Sequence, residues 1–164
     1  MKTQLKLLQF SLLIALSLNI NAQQSCALSN LPTKDKVLLK LFWKDLREAI
    51  GKKDQQGLEK LCNLPITCSF CEKNLDNKPY VIINKQNFSQ YKSQLFLSKN
   101  FKENVIKFEI LDILQSNKEE NFCTYTFSFP ILKPVINGFE GKQGFIDIKK
   151  YGNKYKIKSA WQVP

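Results

Sequence analysis

From Val37 to Ile50 the apolar residues recur three and four apart, whereas from Ile106 onward they recur at every second position. The first spacing belongs to one face of a helix and the second to one face of a strand. This change of period constrains the fold most, because it places helices first and strands after them. Leu38, Leu41, Phe42, Leu46, Ala49 and Ile50 mark the helix face, and Leu39 and Trp43 widen it. Lys40, Lys44, Arg47 and Glu48 take the other side, with Lys44 and Glu48 one turn apart. Thr33 or Asp35 can cap this helix just after Pro32, and Gly51 can end it. Asp54 opens a shorter second helix carrying Leu58, Leu61 and Cys62, which stops before Pro65.

A strand is expected over Ile66 to Phe70, a polar loop over Glu72 to Lys78 and a short strand over Tyr80 to Ile83. Asn84 or Asn87 then caps a third helix carrying Phe88, Tyr91, Leu95 and Phe96. Ile106, Phe108, Ile110, Asp112 and Leu114 read as one strand face, followed by a charged turn over Ser116 to Asn121. In the next strand Cys123, Tyr125, Phe127 and Phe129 alternate with Thr124, Thr126 and Ser128, and Pro130 and Pro134 end it with a bend. Gly144 to Lys150 and Lys154 to Trp161 form a hairpin about Tyr151-Gly152-Asn153. Within it Tyr155, Ile157, Ser159 and Trp161 alternate with Lys154, Lys156 and Lys158.

The N-terminus carries a different signal. Lys2 and Lys6 precede an apolar run that ends at Ala22, before Gln23-Gln24-Ser25. A basic start, a short apolar centre and a small residue make a secretory signal peptide cleaved after Ala22. Gln9, Ser11, Ser17 and Asn19 interrupt the run, so it falls short of the roughly 20 apolar residues a membrane span needs. Residues 1–22 are thus the leader, 23–32 a short polar lead and 33–164 a single domain, exported to the periplasm or secreted, with no span after cleavage. About 140 residues remain, enough for one core.

Charge argues less than its size implies. The net +11 falls to +9 when Lys2 and Lys6 leave with the leader. Arg47 is the single arginine, and bidentate phosphate and base recognition favour arginine. The lysines are scattered, so the excess reads as a solubilising surface and not as a specific nucleic-acid site.

Five cysteines in an exported chain imply disulfides with one thiol left over. Cys62, Cys68, Cys71 and Cys123 are the disulfide candidates, and spacing leaves the connectivity open. Cys68 and Cys71 have the spacing of redox and zinc sites. They do not stand between a strand and a helix, and with no histidine in the chain only Cys62 and Cys123 could complete a zinc set, so a structural disulfide is the favoured reading. No metal and no cofactor is expected.

The order helix, helix, short strand, helix, antiparallel strands resembles the nuclear-transport-factor-2-like superfamily, the cystatin-like cone that includes ketosteroid isomerases and SnoaL-like cyclases. The resembling residues are Phe42 to Ile50, Lys53-Asp54, Leu58, Leu61, Leu64-Pro65, Asn87-Phe88 with Tyr91, and Gly152 to Ile157. The leader and the lysine-rich, arginine-poor usage resemble exported proteins of the Bacteroidetes. The resemblance implies an α+β domain in which three helices from the N-terminal half pack in a strongly curved antiparallel sheet, with an aromatic pocket at its open end. Trp43, Tyr91, Tyr125, Phe127, Phe145 and Trp161 are the expected pocket residues.

Enzymes of that class place an Asp, His or Tyr on the pocket floor, and this chain has no histidine and no clear acid pair. Asp112 is the one weak candidate, as a desolvated base with Tyr91 or Tyr125 as oxyanion donor. The sequence therefore favours an exported non-catalytic domain that binds a small apolar ligand or an envelope protein. An isomerase, dehydratase or cyclase is the alternative. A homodimer through the sheet is left open.

Overall fold

A computed structural model describes residues 26–71, 79–119, 122–131 and 141–163. The expected leader and the Glu72 to Lys78 loop lie outside the described residues. Helix α1 spans Thr33–Lys52, α2 Gln55–Lys60, α3 Phe88–Phe96, α4 Lys99–Lys107 and α5 Ile110–Ile113. The strands are β1 Cys62–Cys68, β2 Val81–Ile83, β3 Gln115–Glu119, β4 Phe122–Pro130, β5 Gln143–Tyr151 and β6 Lys154–Val163. They form one sheet in the order β2-β1-β6-β5-β4-β3.

The α+β class is as expected, with one change to the sheet. All pairings are antiparallel except β1 with β6, which run parallel. A parallel pair needs a long crossover, and here everything from β2 to β5 intervenes.

One face of the sheet is apolar and turned to the helices. Tyr125 pairs with Ile148 and Ile148 with Ile157, and Phe127 pairs with Ile146 and Ile146 with Ala160. All six are buried. Against them α1 lays Leu39, Phe42, Trp43, Leu46 and Ile50, each at most 3 % exposed. The buried stripe is thus centred on Leu39 and Trp43, and Leu41 stays 49 % exposed on its flank. α1 has no side-chain cap at Pro32. It ends not at Gly51 but at Lys53, which takes the left-handed conformation at φ 53°.

Three expectations change in the middle of the chain. The segment expected as a strand from Ile106 to Leu114 is the end of α4 followed by α5, and Phe101, Val105, Ile110 and Leu114 are the residues that bury. Ile106, counted toward the strand face, is 67 % exposed. The expected turn over Ser116 to Asn121 is mostly β3, which closes the sheet edge on β4. The first strand begins at Cys62, earlier than Ile66, and the cis Leu64-Pro65 peptide lies where its register with β6 shifts.

The hairpin closes through Gly152 at φ 59°, which suits a residue without Cβ. A bulge changes its alternation. Asp147 pairs with Ser159 while Ile148 pairs with Ile157, so Lys158 is the extra residue. Beyond it Ala160 turns inward, and Ser159 and Trp161 turn to the outer face.

Candidate functional site

The expected aromatic pocket separates into two groups on opposite faces of the sheet. Trp43, Tyr91, Tyr125 and Phe127 lie on the inner side and are 0–2 % exposed. Trp43 and Phe127 fill that space with their own rings, whereas Tyr125 packs edge-on against Tyr155 at 5.9 Å. Trp43 meets Phe127 edge-on at 5.2 Å, Phe101 lies 5.7 Å from Phe127 and 4.9 Å from Phe129, and Phe96 continues the chain of contacts to Phe88. Edge-to-face rings at these spacings are a packed core. The Tyr91 hydroxyl is buried there with no hydrogen-bond partner among the described residues.

Phe145 and Trp161 stand on the outer face, a correction: Phe145 alternates with the buried Ile146 and Ile148 of β5, and the bulge at Lys158 turns Trp161 outward opposite it. Their rings stack at 4.1 Å and 9°. Next to them Asp147 accepts from Trp161 Nε1 at 2.9 Å, Ser159 Oγ at 2.6 Å and Thr126 Oγ1 at 2.7 Å. This carboxylate is occupied by its three donors, and the group reads as sheet architecture.

Asp112 is exposed in the single turn of α5, not on an apolar strand face. Exposed there, it lacks the enclosed apolar surroundings on which the expectation rested. Among the described residues, no group of three or more His, Cys, Asp or Glu side chains is placed to hold a metal ion.

The cysteines pair as Cys26–Cys123 and Cys68–Cys71. Cys62 is therefore not a disulfide residue, and Cys26 takes the place expected for it. Burial pushes the Cys62 thiol far above its ordinary range, against a smaller pull from Lys156, which makes it a packing group and not a nucleophile. The Cys68–Cys71 pair is buried as well, and the Cys71 N–H points at Cys68 Sγ at 3.1 Å.

What the structure offers instead is a groove of about 430 Å³ between α1, α2 and the tip of the β5–β6 hairpin. Its apolar floor is Phe42, Ala49 and Leu61 with Tyr155, walled by Leu38 and Leu41. Its rim is charged, with Asp45, Glu48 and Asp54 facing Lys52, Lys60, Lys154 and Lys156. Lys52 holds Glu48 at 2.6 Å and, with the nearby lysine charges, keeps its carboxyl below the ordinary range. Gly57 lets α2 approach: a Cβ there would lie 2.6 Å from Asp54 Oδ2 and 3.2 Å from the Ala49 Cβ. The sequence assigned Leu38, Leu41, Phe42 and Ala49 to the core-facing stripe. Only the placement of the hairpin tip shows that two of them, Leu38 and Leu41, flank an open trough.

No family model and no curated protein matches the sequence. Among solved structures, the chain is similar to a candidate ketosteroid isomerase from Shewanella frigidimarina, at 7 % identity and TM-score 0.42, covering 77 % of this chain and 94 % of that one. It is also similar to a five-substitution variant of a designed nuclear-transport-factor-2-type protein, at 11 % identity and TM-score 0.41, covering 80 % and 96 %. At these scores the likeness carries nothing about what the chain does.

Proposed function

We propose that the protein is an exported, non-catalytic binding domain that takes a small apolar ligand in the groove between α1, α2 and the β5–β6 turn. The observation that supports this reading is the pairing of an apolar floor with a charged rim in a trough of about 430 Å³. Ligand sites commonly enclose roughly 300–1,000 Å³, with a mostly apolar lining and a few polar groups that set orientation. Leu41, half exposed on the trough wall, is apolar surface that an apolar ligand would cover, at a gain of about 25 cal/mol per Å² removed from water. The seven charged rim residues would orient a polar end without building an acid–base pair aimed at one point.

Export is part of the same reading. Disulfides persist in oxidising compartments, and two are present. No described helix is long and apolar enough to cross a membrane. The test is native mass spectrometry of the protein purified from its own cell envelope. A stoichiometric apolar adduct on the natural chain, absent from a Leu41→Lys variant, is the expected result. An adduct-free protein that also takes up no apolar compound from an envelope lipid extract would overturn the reading.

A further inference from the structure

A second cavity, of about 310 Å³, opens on the other side of Tyr155, beneath the Asn30–Pro32 segment that the Cys26–Cys123 disulfide ties to β4. Its polar groups are of a different kind from those of the groove. Tyr125 and Tyr155 both line it, 2 % and 4 % exposed, with ring centroids 5.9 Å apart and edge-on. Lys150 lines it as well and donates from Nζ to Asp35 Oδ1 at 2.6 Å. Asp35, on the first turn of α1, is 8 % exposed. Leu31, Pro32 and Phe122 supply apolar wall.

The balance of donors and acceptors is uneven. Two hydroxyls facing each other can share one hydrogen bond, which employs one of their two protons. The second proton remains to be given to an acceptor, in a cavity that both tyrosines line. An ammonium carries three donors, and the Asp35 contact is the only hydrogen bond of Lys150 among the described residues. Lys149 and Lys150 both line the wall against the single carboxylate of Asp35, with the Lys149 ammonium seated over the Phe122 ring at 3.0 Å. Burial raises both phenol pKa values, and the Asp35 charge raises them further, so both stay protonated as donors. A small cavity with surplus donors, a positive balance and an apolar wall calls for an occupant that brings an acceptor oxygen, a negative charge and a short apolar body.

We infer that this cavity is a second binding site, for a small organic carboxylate held by a Tyr125/Tyr155 hydroxyl and the Lys150 ammonium, with its apolar part against Leu31, Pro32 and Phe122. The site is independent of the groove except for the shared Tyr155 wall, so either reading can fail alone. Asp35 orients the ammonium and does not touch the ligand. The disulfide holds the Leu31–Pro32 side of the cavity in place.

The test is a titration of the oxidised full-length protein with benzoate at constant ionic strength, read residue by residue by NMR, with benzamide as the neutral control. Saturable shifts at Leu31, Tyr125, Lys150 and Tyr155 are expected, with benzamide weaker. Tyr125→Phe, which removes one oxygen from a residue outside the groove, should weaken benzoate roughly tenfold or more, as loss of a hydrogen bond to a charged group does. Leu41→Lys in the groove should leave benzoate binding unchanged. Shifts confined to groove residues, no saturable shift in the natural chain, or full affinity in a folded Tyr125→Phe would overturn the inference. The mapping on the natural chain decides the matter even if that variant does not fold.

Discussion

Arg47 donates from Nη2 to the backbone oxygen of Phe108 at 2.5 Å, so the only arginine of the chain closes the C-terminal end of α4 onto α1. Its Nε reaches the Val105 oxygen at 2.7 Å and its Nη1 reaches Glu109 Oε1 at 2.9 Å. Trp43 Nε1 donates to the same Phe108 oxygen at 2.9 Å. The last carbonyls of a helix have no partner within it, and a planar fork satisfies several at once where an ammonium cannot. Arg47→Lys should therefore cost about 1–3 kcal/mol, read as a lower midpoint in urea unfolding. An unchanged midpoint would show that the clamp contributes nothing to stability.

The Tyr91 hydroxyl is buried without a partner among the described residues. An unsatisfied buried hydroxyl carries its desolvation cost in the folded state only. Tyr91→Phe should leave the fold intact and raise stability by about 1 kcal/mol. A loss of that size in thermal unfolding would mean that the hydroxyl has a partner in solution.

The sequence showed α1 and the closing hairpin clearly, since each has a long stretch of a single period with turn residues at its ends. The region from Ile106 to Leu114 misled because Ile106, Phe108, Ile110 and Leu114 alternate by coincidence. The helical pair Phe101 and Val105, one turn apart, held the true signal. The position of Trp161 could not be read from alternation, because one extra residue at Lys158 inverts every side chain after it, whereas that of Phe145 could, since it alternates with the buried Ile146 and Ile148. The groove was hidden for a related reason. A helix face marks which residues are apolar, but whether Leu41 is covered depends on where a hairpin more than 100 residues later comes to rest.

The two disulfides should differ in what they contribute. Cys26–Cys123 joins residues 97 apart and Cys68–Cys71 residues 3 apart. Loop-closure entropy grows with the length of chain enclosed. Replacing Cys26 and Cys123 together by Ser should cost about 2–5 kcal/mol and exceed the effect of replacing Cys68 and Cys71. The comparison is made by denaturant unfolding of both double variants, and the reverse order would contradict it.

Lys158, the bulge residue, holds Glu119 at 2.7 and 2.8 Å, and Thr124 Oγ1 donates to the same carboxylate. Burial opposes ionisation of Glu119, but the hydrogen bonds from Lys158 and Thr124, with the charges of Lys158 and Lys149, outweigh it and lower its pKa. A carboxyl lowered on folding stabilises the protein above its unfolded pKa, and that stability is lost as pH falls through the folded value. The stability gap between the natural chain and Lys158→Met should therefore be full at neutral pH and shrink below about pH 4. A gap that does not change with pH would rule out the ion pair as its source.

Binding of an apolar molecule in the trough walled by Leu41 is tested by a fluorescence titration with the apolar probe N-phenyl-1-naphthylamine. Saturable one-to-one binding to the natural chain is expected, with its loss in Leu41→Lys at an unchanged thermal midpoint, because Leu41 is already 49 % exposed. Binding that survives Leu41→Lys at full strength, or no binding to the natural chain, would contradict it.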